Sequence, residues 1–289
     1  MTGTAAYPER VRIVTDRFTI EGSSRAGNET WFRLRELGIA LDIGRCPDLL
    51  VGIPHILLTH AHLDHALGVP FYFSQRNVQK LPTGTVYVPR PSEAEFERLM
   101  EVHERLEGVA YDHHFVGLSE GDSVHLRKDL RLRVHASSHR IPTNAYELLE
   151  VRHKLKPEHA GLSGPDLAEL RAAAPGTLHD EFEHSLLLYT GDTDRRILER
   201  NSALFKTAVL MIECSFTADG DQQRGALYRH MHIDDIFEFS ERFENEMIVL
   251  THFSLRNSHE EIRANIARRC PVELKERIRL ALPEPFSRL

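Results

Sequence analysis

Cysteine is scarce. Cys46, Cys214 and Cys270 are the only three among 289 residues, and no two stand in a C-x-x-C spacing. An odd count without that spacing argues against a disulfide framework and against a cysteine-based zinc site; a reducing compartment fits best. No run of about 18 apolar residues occurs, so no membrane span is expected. Met1–Arg10 has no apolar segment of the kind a secretory signal needs, which makes a cytoplasmic location the expectation. An excess of positive charge is also missing: 36 basic against 43 acidic side chains leave a formal charge of −7. Chains that bind nucleic acid over a whole surface are usually basic, so any such contact here must be local. No internal repeat, low-complexity tract or long Gly/Ser linker divides the sequence. With 41% hydrophobic and 27% charged residues, one domain over residues 1–289 has enough apolar material for a core without cross-links.

The apolar patterning points to an α/β chain. Alternating residues at Val11–Val14, Phe18–Glu21, Trp31–Leu34 and Gly38–Asp42 predict half-buried strands. The continuous apolar run His55–Thr59 suits a fully buried strand. A helix is expected from Asp64 to about Val78, with Leu67, Phe71 and Val78 on one face. A strand at Thr85–Val88, a helix at Ser92–Glu107 and strands at Ser123–Leu126, Leu130–His135 and Ala145–Val151 follow. Pro157–Gly176 reads as a polar connection holding one helix near Pro165–Ala173. Strands at Ser185–Thr190, Thr207–Ile212, Met247–Leu250 and near Arg277–Leu282 then alternate with helices at Arg195–Asn201, Ile233–Phe243 and Ser258–Ala267. A sheet-rich first half and an alternating second half suggest a four-layer αβ/βα sandwich.

Histidine, at 18 residues, is the unusual abundance. Most of it has no company. His125 and His135 stand alone, and Tyr111–His114 reads as a surface loop. One segment is different. Thr59–His65, T-H-A-H-L-D-H, puts four ligand-type side chains into six residues where a buried strand gives way to a helix. A turn there can aim His60 and His62 at one metal ion, and Asp64 and His65 at a second. Three further strand ends complete a set. His139 follows Leu130–His135, Asp192 lies in Y-T-G-D-T after Ser185–Thr190, and His252 lies in T-H-F-S-L-R after Met247–Leu250. Asp192 can bridge two cations, because a carboxylate has two oxygens. Sites of α/β folds gather at such strand ends. Two metals roughly 3.5–4 Å apart can share a hydroxide, lower its pKa and stabilise charge on substrate oxygens. The chemistry implied is hydrolysis, and no Ser or Cys nucleophile motif competes with it. Zinc is the default for two divalent ions on His and Asp, with manganese or iron as alternatives.

Together with Asp42 in L-D-I-G, this constellation resembles the metal site of the metallo-β-lactamase superfamily, from Gly38 to about Arg256. Within it the chain looks most similar to the ribonuclease Z family, the tRNA 3′-processing endonucleases. His65-Ala-Leu-Gly-Val-Pro70, His139-Arg-Ile-Pro-Thr-Asn-Ala-Tyr146 and Thr251-His-Phe-Ser-Leu-Arg256 resemble segments of that group. So does Glu213-Cys-Ser-Phe216 followed by His230. The resemblance implies a four-layer metallo-β-lactamase fold, precursor tRNA as substrate and a homodimer. It also implies a Glu213–His230 pair that protonates the leaving oxygen. Such a general acid contributes roughly 10²–10⁴-fold, because an alkoxide is a poor leaving group. His232 stands where the group usually has Thr and is a candidate to share the acid role or to contact phosphate. Asp64 or Asp192 would orient the attacking hydroxide.

Some positions depart from the group. Leu63 replaces the Gly usual between the second His and the Asp, and Gly22–Thr30 keeps only Arg25 and Asn28 of a Pro-x-Lys-x-Arg-Asn stretch. The segment corresponding to a basic tRNA-gripping arm has Arg152–Pro157 but then the acidic His179–Glu183. A phosphodiesterase acting on a small molecule is therefore a second expectation. A lactonase or thioesterase is a third, and would not need Glu213 and His230. A non-catalytic binding module would not be expected to keep all seven ligands.

Overall fold

The computed structural model describes residues 10–173 and 178–283. Residues 1–9, read above for a leader, and 174–177, the end of the polar connection, lie outside them. Two seven-stranded sheets carry the fold. The first runs β1 (Val11–Val14), β2 (Thr19–Arg25), β3 (Glu29–Leu34), β4 (Ile39–Leu41), β5 (His55–Leu57), β6 (Thr85–Pro89) and β7 (Phe115–Leu118), in that order. The second holds β8 (Ser123–Arg127), β9 (Leu130–Ala136), β10 (Asn144–Leu155), β11 (His179–Tyr189), β12 (Val209–Glu213), β13 (Met247–Thr251) and β14 (Ile278–Leu280). In each sheet the first four strands pair antiparallel and the last four parallel. The halves thus repeat a topology although no repeat shows in the sequence.

Alternation explains the antiparallel parts. In β9, Leu130, Leu132 and Val134 are buried while Arg131, Arg133 and His135 are half-exposed. The parallel strands β12 and β13, covered on both faces, are buried almost throughout. Ile20, Phe32, Leu57, Leu148, Leu187 and Met211 fill the space between the sheets. Each such side chain contributes about 1.5–3 kcal/mol of burial.

Helices α1 (Asp48–Val51), α2 (Leu63–Ala66), α3 (Val69–Val78) and α4 (Glu93–Glu107) belong to the first half. Helices α5 (Gly164–Ala173), α6 (Arg196–Arg200), α7 (Gln222–Tyr228), α8 (Ile233–Phe237) and α9 (His259–Arg269) belong to the second. Tyr72, Phe73, Phe96 and Met100 of α3 and α4 pack on the outside of the first sheet. Leu198, Ile236 and Ile262 of α6, α8 and α9 pack on the second. The result is the four-layer αβ/βα sandwich. No helix among the described residues is long and apolar enough to cross a membrane, and all three cysteines are free.

Several local expectations change. The helix expected over 64–78 is two helices, broken at Gly68, where a Cβ would lie 2.4 Å from the Cys46 nitrogen. Its buried face carries Val69, Tyr72 and Phe73, whereas Leu67, Phe71 and Val78 are exposed. Strand β7 and helices α1 and α7 were not legible in short, mixed patterns. The helix expected over 233–243 stops at Phe237, followed by a 3-10 turn at Ser240–Arg242. Tyr111, read as surface, is buried, and its amide donates to Glu104 at 2.8 Å. The stretch 22–30 is mostly strand, closing a hairpin between β2 and β3.

Candidate dinuclear metal centre

Parallel pairing brings the ends of β4, β5, β12 and β13 to one end of the sandwich. β9 also runs that way, since both it and β11 are antiparallel to β10. There the seven candidate ligand side chains converge in two groups. In the first, His62 Nδ1 lies 3.0 Å from His60 Nε2 and 3.3 Å from His139 Nε2. Asp192 Oδ2 lies 3.6 Å from His60 Nε2. In the second, His65 Nε2 and His252 Nε2 are 3.3 Å apart, with Asp64 Oδ2 at 3.7 and 3.5 Å from them. Asp192 Oδ1 is 3.3 Å from both of those nitrogens. One Asp192 oxygen therefore faces each group.

The donor set fits two divalent cations. Asp192 Oδ1 is buried and has no hydrogen-bond partner among the described residues, so a negative oxygen is left to a positive neighbour. Burial, reinforced by the charge of His65, holds His60 well below its ordinary pKa, and burial also lowers His62 and His139. Neutral imidazoles keep the lone pair that a metal takes. Burial works against ionised Asp64, but His252 and His65 hold it below the usual carboxylate range.

Hydrogen bonds behind the imidazoles orient them. Nδ1 of His65 donates to Asp42 Oδ2 at 2.8 Å, and Nδ1 of His139 to the Arg229 carbonyl at 3.1 Å. His60 Nδ1 lies 3.0 Å from Thr59 Oγ1, and His252 Nδ1 3.0 Å from Ser215 Oγ. Such partners set which nitrogen faces a metal. Asp42 also accepts from the Thr59 amide at 2.7 Å and from the Tyr189 hydroxyl at 2.8 Å. It touches no candidate metal position itself. Asp42 and His252 both take left-handed backbone, at φ 54° and 61°, a strain of about 1–3 kcal/mol each that the surroundings must hold. Gly191, at φ 57°, lets Asp192 approach: a Cβ there would sit 2.6 Å from the Thr59 Cβ.

Glu213, at the end of β12, is 1% exposed. Its Oε1 accepts from His230 Nδ1 at 2.7 Å and from the Thr193 amide at 2.9 Å. Its Oε2 accepts from Ser215 Oγ at 2.7 Å and from the amides of Ser215 and Met231 at 3.1 and 3.3 Å. Burial disfavours a charged His230, yet Glu213 outweighs it and raises the imidazole to about 9. With Nδ1 held by the carboxylate, Nε2–H is left as a donor. The His230 ring lies 5.0 Å from that of His139 and 5.3 Å from that of His252. It lines a cleft of about 310 Å³ with His62, Arg140, Phe216 and Tyr228.

His232 is not brought to this site. It is fully buried, its Nε2 donates to the Ala218 carbonyl at 3.0 Å, and its Nδ1 accepts from the Asp234 amide at 3.2 Å. It caps α8 in a reciprocal box with Asp235. Both ring nitrogens are committed, which corrects the expectation of an acid or phosphate contact.

No family model matches the chain. The tRNase Z TRZ1 of Arabidopsis thaliana is 35% identical over 248 residues, covering 85% of this chain and 88% of the relative. The chain belongs to the tRNase Z family. The chloroplastic tRNase Z TRZ2 of the same plant is 31% identical over 261 residues, 89% of this chain and 73% of that one. Among solved structures, the short form of human tRNase Z (ELAC1) has a TM-score of 0.54 at 17% identity, covering 87% of this chain and 90% of that one. The metallo-β-lactamase-fold protein YhfI of Bacillus subtilis has a TM-score of 0.63 at 13% identity, covering 90% and 94%. The sandwich is the metallo-β-lactamase fold, and the family is one of metal-dependent hydrolases.

Against that family, two segments take on shape. Strands β10 and β11 continue past the sheet to the pair Leu155–His179, carrying α5 beyond them. In this extended hairpin Arg152 is paired with Glu150, and Glu181 and Glu183 are paired with Arg131. The hairpin between β2 and β3 reaches the metal centre, where the Gly27 amide donates to Asp64 Oδ2 at 2.8 Å. Thr59, Tyr189, Ser215 and Arg229 were missed as supports. Thr59, Tyr189 and Ser215 stand inside or beside the quoted motifs, whereas Arg229 acts through its backbone and leaves no side-chain signal.

Proposed function

We propose that this chain is an endonuclease that hydrolyses a phosphodiester bond of precursor tRNA to release the 3′ trailer. His60, His62, His139 and Asp192 would hold one divalent ion, and Asp64, His65, His252 and Asp192 a second. His and Asp donors suit zinc best, with manganese or iron as alternatives. When bound, two such ions lower the pKa of water and neutralise charge on phosphate oxygens. The protein's own contribution is a proton. His230 holds one at Nε2 beside the cleft, and Glu213 keeps it there through Nδ1. Delivered to the departing 3′ oxygen, it avoids expulsion of an alkoxide. Asp64, tied to the Gly27 amide, links the hairpin tip to the second ion's position.

The observation that carries this reading is the Glu213–His230 pair at 2.7 Å, next to the histidine cluster. Hydrolysis of a thioester, whose thiolate leaves without a proton, has no need of a donor kept charged at neutral pH. The test is cleavage of a 3′-extended precursor tRNA by metal-loaded protein, with Asp64→Ala as control. Cleavage at the base of the trailer, lost in the variant, supports the reading. Hydrolysis of a small aryl phosphodiester without RNA cleavage would refute it in favour of a small-molecule phosphodiesterase.

A homodimer belongs to the same proposal. Leu63, Leu67, Phe71 and Val78 form an exposed apolar ridge along α2 and α3, at 70, 53, 45 and 67% exposure. Apolar surface of this kind commonly marks an interface. Phe71→Glu should convert a dimer to monomer in sedimentation; a wild-type monomer would refute it.

A further inference from the structure

Among the described residues, strands β1 and β14 are edges of the two sheets, each paired on one side only. Between them runs a groove of about 690 Å³ lined by Arg10, Arg12, Arg263 and Arg279. Among the described residues no carboxylate lines it. In a chain of formal charge −7, four arginines on one groove are a marked local reversal. Their charges are also largely available. The Arg12 side chain has no hydrogen bond or ion pair among the described residues. Arg263 donates to the Pro283 carbonyl at 2.5 Å, and Arg279 to the carbonyls of Glu276 and Ile278 at 2.9 Å. Carbonyls orient a guanidinium without neutralising it. Among the described residues only Arg10 has a carboxylate, Glu21 at 3.7 Å, which it shares with Arg33.

The groove is continuous with the cleft. It shares Val11 with a second cavity of about 310 Å³ that Arg25, Asn28, Arg45 and His259 line together with one carboxylate, Glu29, which is largely buried and accepts from the Arg45 amide. Arg25 and Asn28 flank the hairpin tip whose Gly27 lines the cleft and bonds Asp64. A path on which arginines outnumber the single carboxylate therefore leads from the metal centre to the seam between the sheets.

We propose that this seam binds the phosphate backbone of the RNA substrate away from the bond that is cut. The inference rests on the reading of the substrate as RNA. Guanidinium groups take phosphate oxygens through paired N–H donors, and each phosphate neutralised releases condensed counterions, so binding weakens with salt.

The experiment compares the metal-loaded full chain with an Arg12→Gln/Arg279→Gln variant. It measures kcat/KM for precursor tRNA across KCl concentrations, turnover of a small aryl phosphodiester, and melting temperature. Loss of two phosphate contacts should make the log–log salt slope shallower by about 1.4–1.8. It should lower kcat/KM several-fold at low salt, with aryl diester turnover and melting temperature unchanged. RNA cleavage with superimposable salt plots in the two proteins would overturn the seam alone. Aryl diester hydrolysis with no RNA cleavage by the wild type would overturn the RNA reading, and the seam with it.

Discussion

Replacing Glu213 by Gln tests the acid directly. The carboxylate accepts five hydrogen bonds, two on Oε1 and three on Oε2. An amide can satisfy only one of those two sides, so some loss of stability, about 1–3 kcal/mol, is expected from a buried donor left facing a donor. The functional effect comes through His230. At about 9, the imidazole is nearly all protonated at pH 7.5. Without the carboxylate it returns to its ordinary value of about 6.5 or, being buried, lower, which leaves at most about one-tenth protonated. Cleavage of precursor tRNA at pH 7.5 should therefore drop at least about tenfold. The sign follows from the raised pKa: the proton is present at low pH and is lost as pH rises through about 9 in the wild type. In Glu213→Gln the same alkaline loss should begin at lower pH, and activity should recover as the solution is acidified. Hydrolysis of a p-nitrophenyl phosphodiester, whose leaving group needs no proton, should change little. His230→Ala should lower RNA cleavage by roughly 10²–10⁴ with metal content unchanged. Equal losses on both substrates, or an unshifted pH profile, would refute the acid assignment.

Asp192→Ala removes the carboxylate that faces both groups of ligands, so bound metal measured by mass spectrometry should fall from two ions toward one or none. Chelation of the wild type should lower its melting temperature by several degrees, since a ligand at 1,000 times its Kd stabilises by about 4 kcal/mol; an unchanged melting curve would argue against a resident metal. Asp42→Asn, which leaves donors from Thr59, His65 and Tyr189 facing an amide, should weaken metal affinity about 10–100-fold in a chelator competition. His232→Ala should cost about 2–4 kcal/mol of stability, from the lost helix cap and the cavity left by a buried ring, and leave turnover of folded protein within about threefold. A hundredfold loss of turnover in folded protein would return His232 to the catalytic set.

Legibility in the sequence followed local order. The run Thr59–His65 displays its chemistry because four side chains of one strand end need only one turn to face a common point. His139, Asp192 and His252 were legible for a related reason: each follows an apolar strand, and parallel strands bring their ends to the same side of a sheet. Sequence by itself therefore determined the layered α/β architecture and which side chains meet. Glu213 and His230 stand 17 positions apart and became a pair only through resemblance and then through geometry. Tertiary structure alone decided the rest. It buried the His232 ring as a helix cap, since two neighbouring backbone groups claim its nitrogens. It turned the face that carries Leu67 and Phe71 to solvent, since Val69, Tyr72 and Phe73 on the other face pack on the first sheet. It aligned Arg12 and Arg279 across a seam, although they come from opposite ends of the chain. The seam above all depends on contacts between segments far apart in the chain, and local pattern has no information about those.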